Sequence, residues 1–125
     1  MSTPASEHYA TIVAGAGPAG VLTAIHAVER GSVLVVDASS LPRAKSCGGM
    51  LHELSLQTLR PYGEVPGRIV SEPRQVHFRY NDWDRRIKRT TELAFLNVSR
   101  SGFDEWLTSL LPTGVKIVGR TSVVG

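Results

Sequence analysis

The sequence predicts an α/β fold in which a parallel βαβ unit is joined by a partial parallel sheet and an antiparallel hairpin. Two observations predict the βαβ unit: a β-branched run at Tyr9–Ala14 precedes a glycine-rich turn, and a second apolar run, Ser32–Val36, follows an amphipathic stretch. A third observation, the alternation of apolar and polar residues at Gln75–Tyr80, is typical of a half-buried strand. The 125 residues, 42% hydrophobic and 20% charged, have the composition of a soluble globular chain of one domain or less.

The first three elements follow from local patterns. Tyr9–Ala14 is short and β-branched, and it is predicted to be a buried strand. A helix is predicted over Ala19–Glu29, with Pro18 suited to its first turn because the missing N–H costs nothing there. Its apolar residues recur at helical spacing, at Val21, Leu22, Ile25 and Val28. Gly31 ends the helix, and the uninterrupted apolar run Ser32–Val36 predicts a strand that is covered on both faces.

The middle of the chain predicts a loop, a helix and a hairpin. Pro42 and a glycine pair indicate a loop over Ala38–Gly49, and leucines at helical spacing predict a helix over Leu51–Leu59. The hairpin is predicted at about 75–91, as an insertion, with turn residues at Asn81–Asp84.

The last third predicts a strand, a helix and a strand. Leu93–Val98 is an apolar strand, and a helix capped by Ser99 or Ser101 is predicted to run through Leu111. Val115–Val118 completes the series as a further strand.

A Gly-x-Gly-x-x-Gly motif lies between the first strand and the first helix. Gly15 permits the tight turn, Gly17 lets the backbone approach a pyrophosphate, and Gly20 lets the helix pack closely on the strand. Asp37 stands at the end of the second strand, 17 residues past Gly20, where a carboxylate accepts the hydroxyls of an adenosine ribose and repels a 2′-phosphate. The pattern therefore predicts a Rossmann-like dinucleotide site that favours FAD or NAD over NADP.

Two further segments carry a resemblance to a known family. The stretch Pro42-Arg43-Ala44-Lys45-Ser46-Cys47-Gly48-Gly49, together with the glycine motif, resembles the geranylgeranyl reductase family of FAD-dependent oxidoreductases. Arg100-Ser101-Gly102-Phe103-Asp104-Glu105-Trp106-Leu107 is similar to the family's Arg-x-x-Phe-Asp-x-x-Leu segment. The three motifs together extend over nearly the whole chain.

The resemblance implies FAD as cofactor and a reaction in which reduced flavin delivers hydride to a carbon–carbon double bond of an isoprenoid. It implies that the glycine turn holds the pyrophosphate, that Asp37 holds the ribose, and that Arg43 and Arg100 lie along the cofactor. Cys47, Gly48 and Gly49 are then expected near the isoalloxazine. The expected cofactor-binding residues are Gly15, Ala16, Gly17, Pro18, Ala19, Gly20, Asp37, Arg43, Cys47, Gly48, Gly49 and Arg100.

Alternatives to this interpretation remain open. An aromatic-hydroxylase-type flavin monooxygenase shares the opening motif, although the Cys-Gly-Gly loop argues against it, and a non-enzymatic nucleotide-binding module is a third possibility. For Cys47, which precedes a predicted helix, the sequence favours a packing or loop-positioning role over a reactive thiol. No catalytic residue is identified. The chain lacks the later Gly-Asp segment of such enzymes, so 1–125 is expected to be the N-terminal part of an FAD/NAD(P)-binding domain, with the remainder missing or supplied by a partner chain.

Charge, cysteine and histidine content and hydropathy limit the classes of ligand and partner that the chain could bind. The basic run Arg85, Arg86, Lys88 and Arg89 is interpreted as a solvated hairpin strand rather than a nucleic-acid footprint, because no nucleic-acid motif accompanies it. A single cysteine excludes an internal disulfide, and the four histidines show no metal-ligand spacing. No apolar run approaches the ~20 residues of a membrane span, and the N-terminus lacks a secretory signal. We therefore expect a cytoplasmic protein. The family resemblance, and not the composition, implies a small-molecule substrate, with an isoprenoid lipid as one candidate.

Overall fold

The computed structural model describes residues 7–124, which form two compact units. The first unit comprises the described residues up to Arg43 together with those from Asp104 onward, and the second comprises 44–103. Among the described residues, no helix has the length and apolar character needed to cross a bilayer.

The first unit is a three-stranded parallel sheet with a crossover helix. Strand β1 (Thr11–Ala14) leads into helix α1 (Pro18–Ala27), and the chain returns through one 3-10 turn to β2 (Val33–Val36). β2 is central and pairs in parallel with β1 on one side and with Val115–Val118 on the other. The predicted βαβ unit and partial parallel sheet are therefore confirmed.

The core of this unit lies between α1 and the sheet. Ala16, Ala24, Val33 and Val35 are almost fully buried, and half-buried apolar residues from the neighbouring elements pack against them. Three of the four side chains of β2 are buried, as its uninterrupted apolar sequence predicts for a central strand. β1 lies at an edge of the sheet, where Ile12 is 59% exposed.

The second unit is built on an antiparallel sheet. Its strands are β3 (Met50–His52), β4 (Val70–Asp82) and β5 (Ile87–Val98), in the order β3-β5-β4, and helix α2 (Glu53–Leu59) follows β3. The antiparallel hairpin of the predicted fold is therefore confirmed, although its treatment as an insertion at about 75–91 stays a prediction.

The structure differs from the predicted elements in two places. The predicted helix over Leu51–Leu59 is shorter, because Leu51 and His52 pair with Leu96 and Phe95 in the sheet, and the helix begins only after them. The strand predicted at Leu93–Val98 is the second half of the single long strand β5. In the first case pairing with a distant strand overrides the local pattern, and in the second the pairing with β4 joins two segments that the local pattern separates.

The last helix and strand return the chain to the first unit. Helix α3 spans Arg100–Ser109, two residues short of the predicted end at Leu111, and the Ser99 hydroxyl accepts a hydrogen bond from the Gly102 N–H at 3.4 Å. Strand β6 (Val115–Val118) then pairs with β2 over the predicted residues.

Candidate cofactor site

The turn between β1 and α1 has the geometry that the glycine motif predicts. Gly15 has a φ of +105°, a conformation that favours glycine, and its N–H donates to the Val36 carbonyl oxygen at 2.7 Å. A Cβ on Gly20 would overlap the Gly15 carbonyl oxygen and would lie 3.4 Å from Cγ1 of Val13. The absence of side chains at these positions therefore sets how closely the helix approaches the strand.

The amino-terminal end of α1 faces this turn without a side-chain cap. Gly17 is the N-cap residue in an extended conformation, Pro18 occupies the first turn, and that turn carries no acidic residue. The first N–H groups and the positive end of the helix dipole are therefore not compensated by a carboxylate of the first turn. Such an end favours a bound anion.

Asp37 follows β2 directly, and only 4% of its surface is exposed. Its Oδ2 accepts a hydrogen bond from the Ala16 N–H at 2.8 Å, and its Oδ1 accepts one from the Ser39 N–H at 2.9 Å. Burial, the largest influence, raises the pKa of the carboxyl, but these N–H groups and the Arg43 charge together outweigh it and lower the pKa below the ordinary 3.8. Asp37 is thus a carboxylate at neutral pH, anchored to the glycine turn.

Arg43 lies beside Asp37 and is mostly buried. Its Nη1 is 3.4 Å from Oδ2 of Asp37, and its Nε is 3.9 Å from Oδ2 of Asp104 on α3. The Nε is buried and makes no hydrogen bond within residues 7–124. One guanidinium therefore stands between two buried carboxylates, which are contributed by distant parts of the chain.

Two cavities border Arg43. The larger, about 400 Å³, lies at the carboxyl ends of the three parallel strands, and its wall includes Gly15, Asp37 and the segment 121–123. Backbone hydrogen bonds hold this edge together, from the Asp37 N–H to the Val118 oxygen at 3.0 Å and from the Thr121 N–H to the Asp37 oxygen at 2.9 Å. The second cavity, about 350 Å³, lies between Ala16, the segment 41–43 and residues of α3 that include Asp104.

Within the first unit, the structure brings several of the predicted residues together. Gly15–Gly20, Asp37 and Arg43 lie around one strand edge, whereas Cys47, Gly48, Gly49 and Arg100 belong to the second unit. There Gly49 has a φ of +67°, its carbonyl oxygen accepts from the Val98 N–H at 2.7 Å, and a Cβ at this position would overlap the Val98 carbonyl oxygen. The second glycine of the pair is therefore required by the approach of β5.

The surroundings of Cys47 differ from those that the sequence indicates for a reactive thiol. Cys47 is exposed, and its Sγ accepts from the Gly49 N–H at 3.5 Å. The next element is β3, and α2 begins only at Glu53, so Cys47 does not stand at a helix N-terminus. This geometry favours the positioning role in the loop over an activated thiolate.

Sequence reasoning missed two contributions to the site. In the sequence Asp104 is only part of the Arg-x-x-Phe-Asp-x-x-Leu segment, with no role of its own, whereas in the structure it is 5% exposed and lies beside Arg43. The segment 121–123 follows β6, and its signal is topological: the carboxyl ends of parallel strands meet at one edge of a sheet, so the residue after each strand is a site candidate.

Comparisons with known proteins agree with the fold. No protein-family model matches the chain. The curated relatives include Protein CbrA of Escherichia coli O139:H28 (strain E24377A / ETEC), which is 26% identical over 116 residues, covering 89% of this chain and 33% of the relative. Protein CbrA of Escherichia coli (strain K12) is 25% identical over the same length. The chain therefore spans about a third of the curated relatives that it matches.

Several solved structures share the fold of this chain. The flavin-dependent brominase Bmp2 has a TM-score of 0.69 at 24% identity, covering 90% of this chain and 29% of that chain. The peptidyl tryptophan dihydroxylase QhpG has a TM-score of 0.64 at 26% identity, covering 87% and 24%. The halogenase PltM, solved in complex with phloroglucinol and FAD, has a TM-score of 0.58 at 16% identity, covering 90% and 28%.

These neighbours show that the chain has the fold of part of an FAD-binding flavoprotein. They do not support geranylgeranyl reductase in particular, nor an isoprenoid lipid substrate. They favour the hydroxylase-type alternative about as well as the reductase.

Proposed function

We propose that the first unit of this chain binds the adenosine diphosphate half of FAD. The observation that carries the proposal is the buried, ionised Asp37, which the Ala16 N–H of the glycine turn holds at the carboxyl edge of the parallel sheet. Two of the roughly four acceptor positions of a carboxylate are used by N–H groups, and the others can accept ribose hydroxyls. Sugar recognition by a carboxylate at this position is the usual arrangement in dinucleotide-binding βαβ units.

The other parts of the nucleotide have matching surroundings. The uncapped end of α1, at Gly17 and Pro18, offers N–H groups and a positive dipole to the pyrophosphate. The cavity of about 400 Å³ beside Asp37 is large enough for an adenine ring, and its wall includes the segment 121–123, whose last two residues are exposed. The guanidinium of Arg43 can fork onto phosphate or ribose oxygens. The flavin, when bound, supplies the redox chemistry, while these residues bind and orient it.

Two reactions are proposed for a polypeptide of the relatives' full length. The segments around Arg43 and Arg100 favour a reductase of the geranylgeranyl reductase type, which adds hydride to an isoprenoid double bond. The likeness to a tryptophan dihydroxylase, at 26% identity, favours a flavin enzyme that uses dioxygen to hydroxylate an aromatic substrate. Anaerobic reoxidation of the reduced flavin by an isoprenoid alkene indicates the first reaction, and oxygen-dependent formation of a hydroxylated aromatic product indicates the second. A nucleotide-binding module without catalysis shows neither.

The binding proposal is tested by titrating the 125-residue chain with FAD and with ADP. Asp37→Asn removes the charge and one acceptor while keeping the shape, and hydrogen bonds to charged groups contribute about 1.5–3 kcal/mol. We therefore expect FAD and ADP to bind at least about tenfold more weakly to the variant. The matched control is Asp84→Asn in the exposed hairpin turn, which should bind both ligands as the wild type does. Unchanged affinity of Asp37→Asn, or an ADP that fails to compete with FAD, contradicts the proposal.

A further inference from the structure

Asp104 is a buried carboxylate to which the proposed function assigns no role. It lies on α3, 61 residues after Arg43 in the sequence, and its side chain is 6% exposed. The structure places the Arg43 Nε 3.9 Å from Asp104 Oδ2, while the other end of the same guanidinium is 3.4 Å from Asp37. A carboxylate is seldom buried to this degree unless it is paired, so the contact requires an explanation.

Two different carboxylates face two different nitrogens of the Arg43 guanidinium. The group is planar, and its five N–H donors have fixed directions, so a partner at Nε orients the whole plane. Asp104 faces the Nε edge and Asp37 faces Nη1. Two negative charges that the fold holds in place therefore act on two different nitrogens of Arg43, although the Nε makes no hydrogen bond in this structure.

A ribose bound at Asp37 would change the interactions that are available to the Arg43 guanidinium. Hydroxyls that donate to Asp37 compete with Arg43 for the same carboxylate, and a buried guanidinium that loses its partner is costly. Asp104 supplies a second negative charge at the opposite edge, and the Nε needs to move by only about 1 Å to reach hydrogen-bond distance. Arg43 can therefore share Asp37 with a nucleotide without leaving the site.

We propose that Asp104 is a positioning residue: it holds the Nε edge of Arg43, so that the Nη groups stay beside Asp37 and donate to ribose or pyrophosphate oxygens of the cofactor. This inference rests on the proposed binding of FAD. It also gives a role to the aspartate of the Phe103-Asp104 pair that the sequence resemblance leaves without one.

A double-mutant cycle on the 125-residue chain tests the proposal. FAD affinity is measured by titration for the wild type, Asp104→Asn, Arg43→Gln and the double variant. Asp104→Asn is expected to weaken FAD binding about five- to tenfold when Arg43 is present and less than twofold when it is replaced. The controls are Asp84→Asn and Arg85→Gln, both at the hairpin turn, where Arg85 is 79% exposed. Neither control is expected to change FAD affinity.

The cycle distinguishes positioning from general stability. A merely structural Asp104 would weaken binding equally with and without Arg43, and that additive result would overturn the proposal. If Asp104→Asn does not fold, Asp104→Glu replaces it in the same cycle, and its effect on FAD affinity is again expected only when Arg43 is present. If the wild type binds FAD and Asp104→Asn binds it with the same affinity, this inference alone is overturned. Failure of the wild type to bind FAD overturns both this inference and the proposed function.

Discussion

Replacing Gly20 with alanine places a Cβ in the closest contact between α1 and the preceding turn. The added carbon would overlap the Gly15 carbonyl oxygen, and it would lie 3.0 Å from the Gly15 carbonyl carbon and 3.4 Å from Cγ1 of Val13. Carbon atoms pack at about 3.5–4.0 Å, and the overlap with the carbonyl oxygen is tighter than the carbon contact, so the helix has to withdraw by more than about 1 Å. Its neighbour in this contact is backbone, which cannot rotate away as a side chain can.

The net cost follows from two opposing effects. Overpacking of a core contact costs about 1–3 kcal/mol, and a clash with backbone belongs at the upper end of that range. Alanine in a helix is about 1 kcal/mol more favourable than glycine, which offsets part of the cost. We therefore expect Gly20→Ala to lower the free energy of unfolding by about 2 kcal/mol, or Tm by roughly 10 °C.

The assay is urea and thermal unfolding followed by far-UV circular dichroism, with Gly67→Ala as the matched control. Gly67 opens a short 3-10 turn, and a Cβ there meets nothing within 4 Å, so the control should stay within about 0.5 kcal/mol of the wild type. FAD affinity should fall in Gly20→Ala as well, because the N–H groups of α1 move away from the turn. A Gly20→Ala chain as stable as the wild type would refute the assignment of Gly20 to helix–strand contact.

Three further outcomes are expected. The pKa of Asp37 is lower in the folded chain than its ordinary 3.8, so this carboxylate stabilises the fold above that pH and its contribution is lost on acidification. Between pH 6 and pH 3, the free energy of unfolding should therefore fall more steeply for the wild type than for Asp37→Asn. Equal slopes would contradict this. Gly49→Ala should destabilise the chain by at least about 1 kcal/mol in the same unfolding assay, since the position combines a φ of +67° with a Cβ that overlaps the Val98 carbonyl oxygen; a variant as stable as Gly67→Ala would argue against it. The 125-residue chain by itself should bind FAD weakly and show no reductase turnover, and stoichiometric flavin retention with turnover would disprove that expectation.

Much of the first unit could be predicted because its patterns are local. The strand, glycine turn, helix and second strand follow one another within about thirty residues, and the spacing of their residues carries the whole arrangement. Gly15 and Gly20 are needed for steric reasons that the motif already implies. The position of Asp37 could also be predicted from local sequence, because this residue directly follows the predicted second strand.

The second unit shows where local patterns fail. Leu51 has helical spacing with the leucines after it, yet it is in β3, because pairing with Leu96 determines its conformation. The polar first half and the apolar second half of β5 look like separate strands until their common partner, β4, is known. Strand pairing joins residues tens of positions apart, and no periodicity in either segment reports it.

The sequence by itself determined the βαβ unit, the glycine turn and the carboxylate after the second strand, because each depends on residues close together in the chain. Only the tertiary structure decided that Arg43 stands between Asp37 and Asp104, and that the segment 121–123 borders the same cavity as Gly15. Asp104 reaches Arg43 from α3, which no local pattern reports. For the cavity, the physical reason is the parallel pairing of β1, β2 and β6. That pairing gathers the residues that follow separate strands at one edge, where burial and charge couple side chains that are distant in sequence.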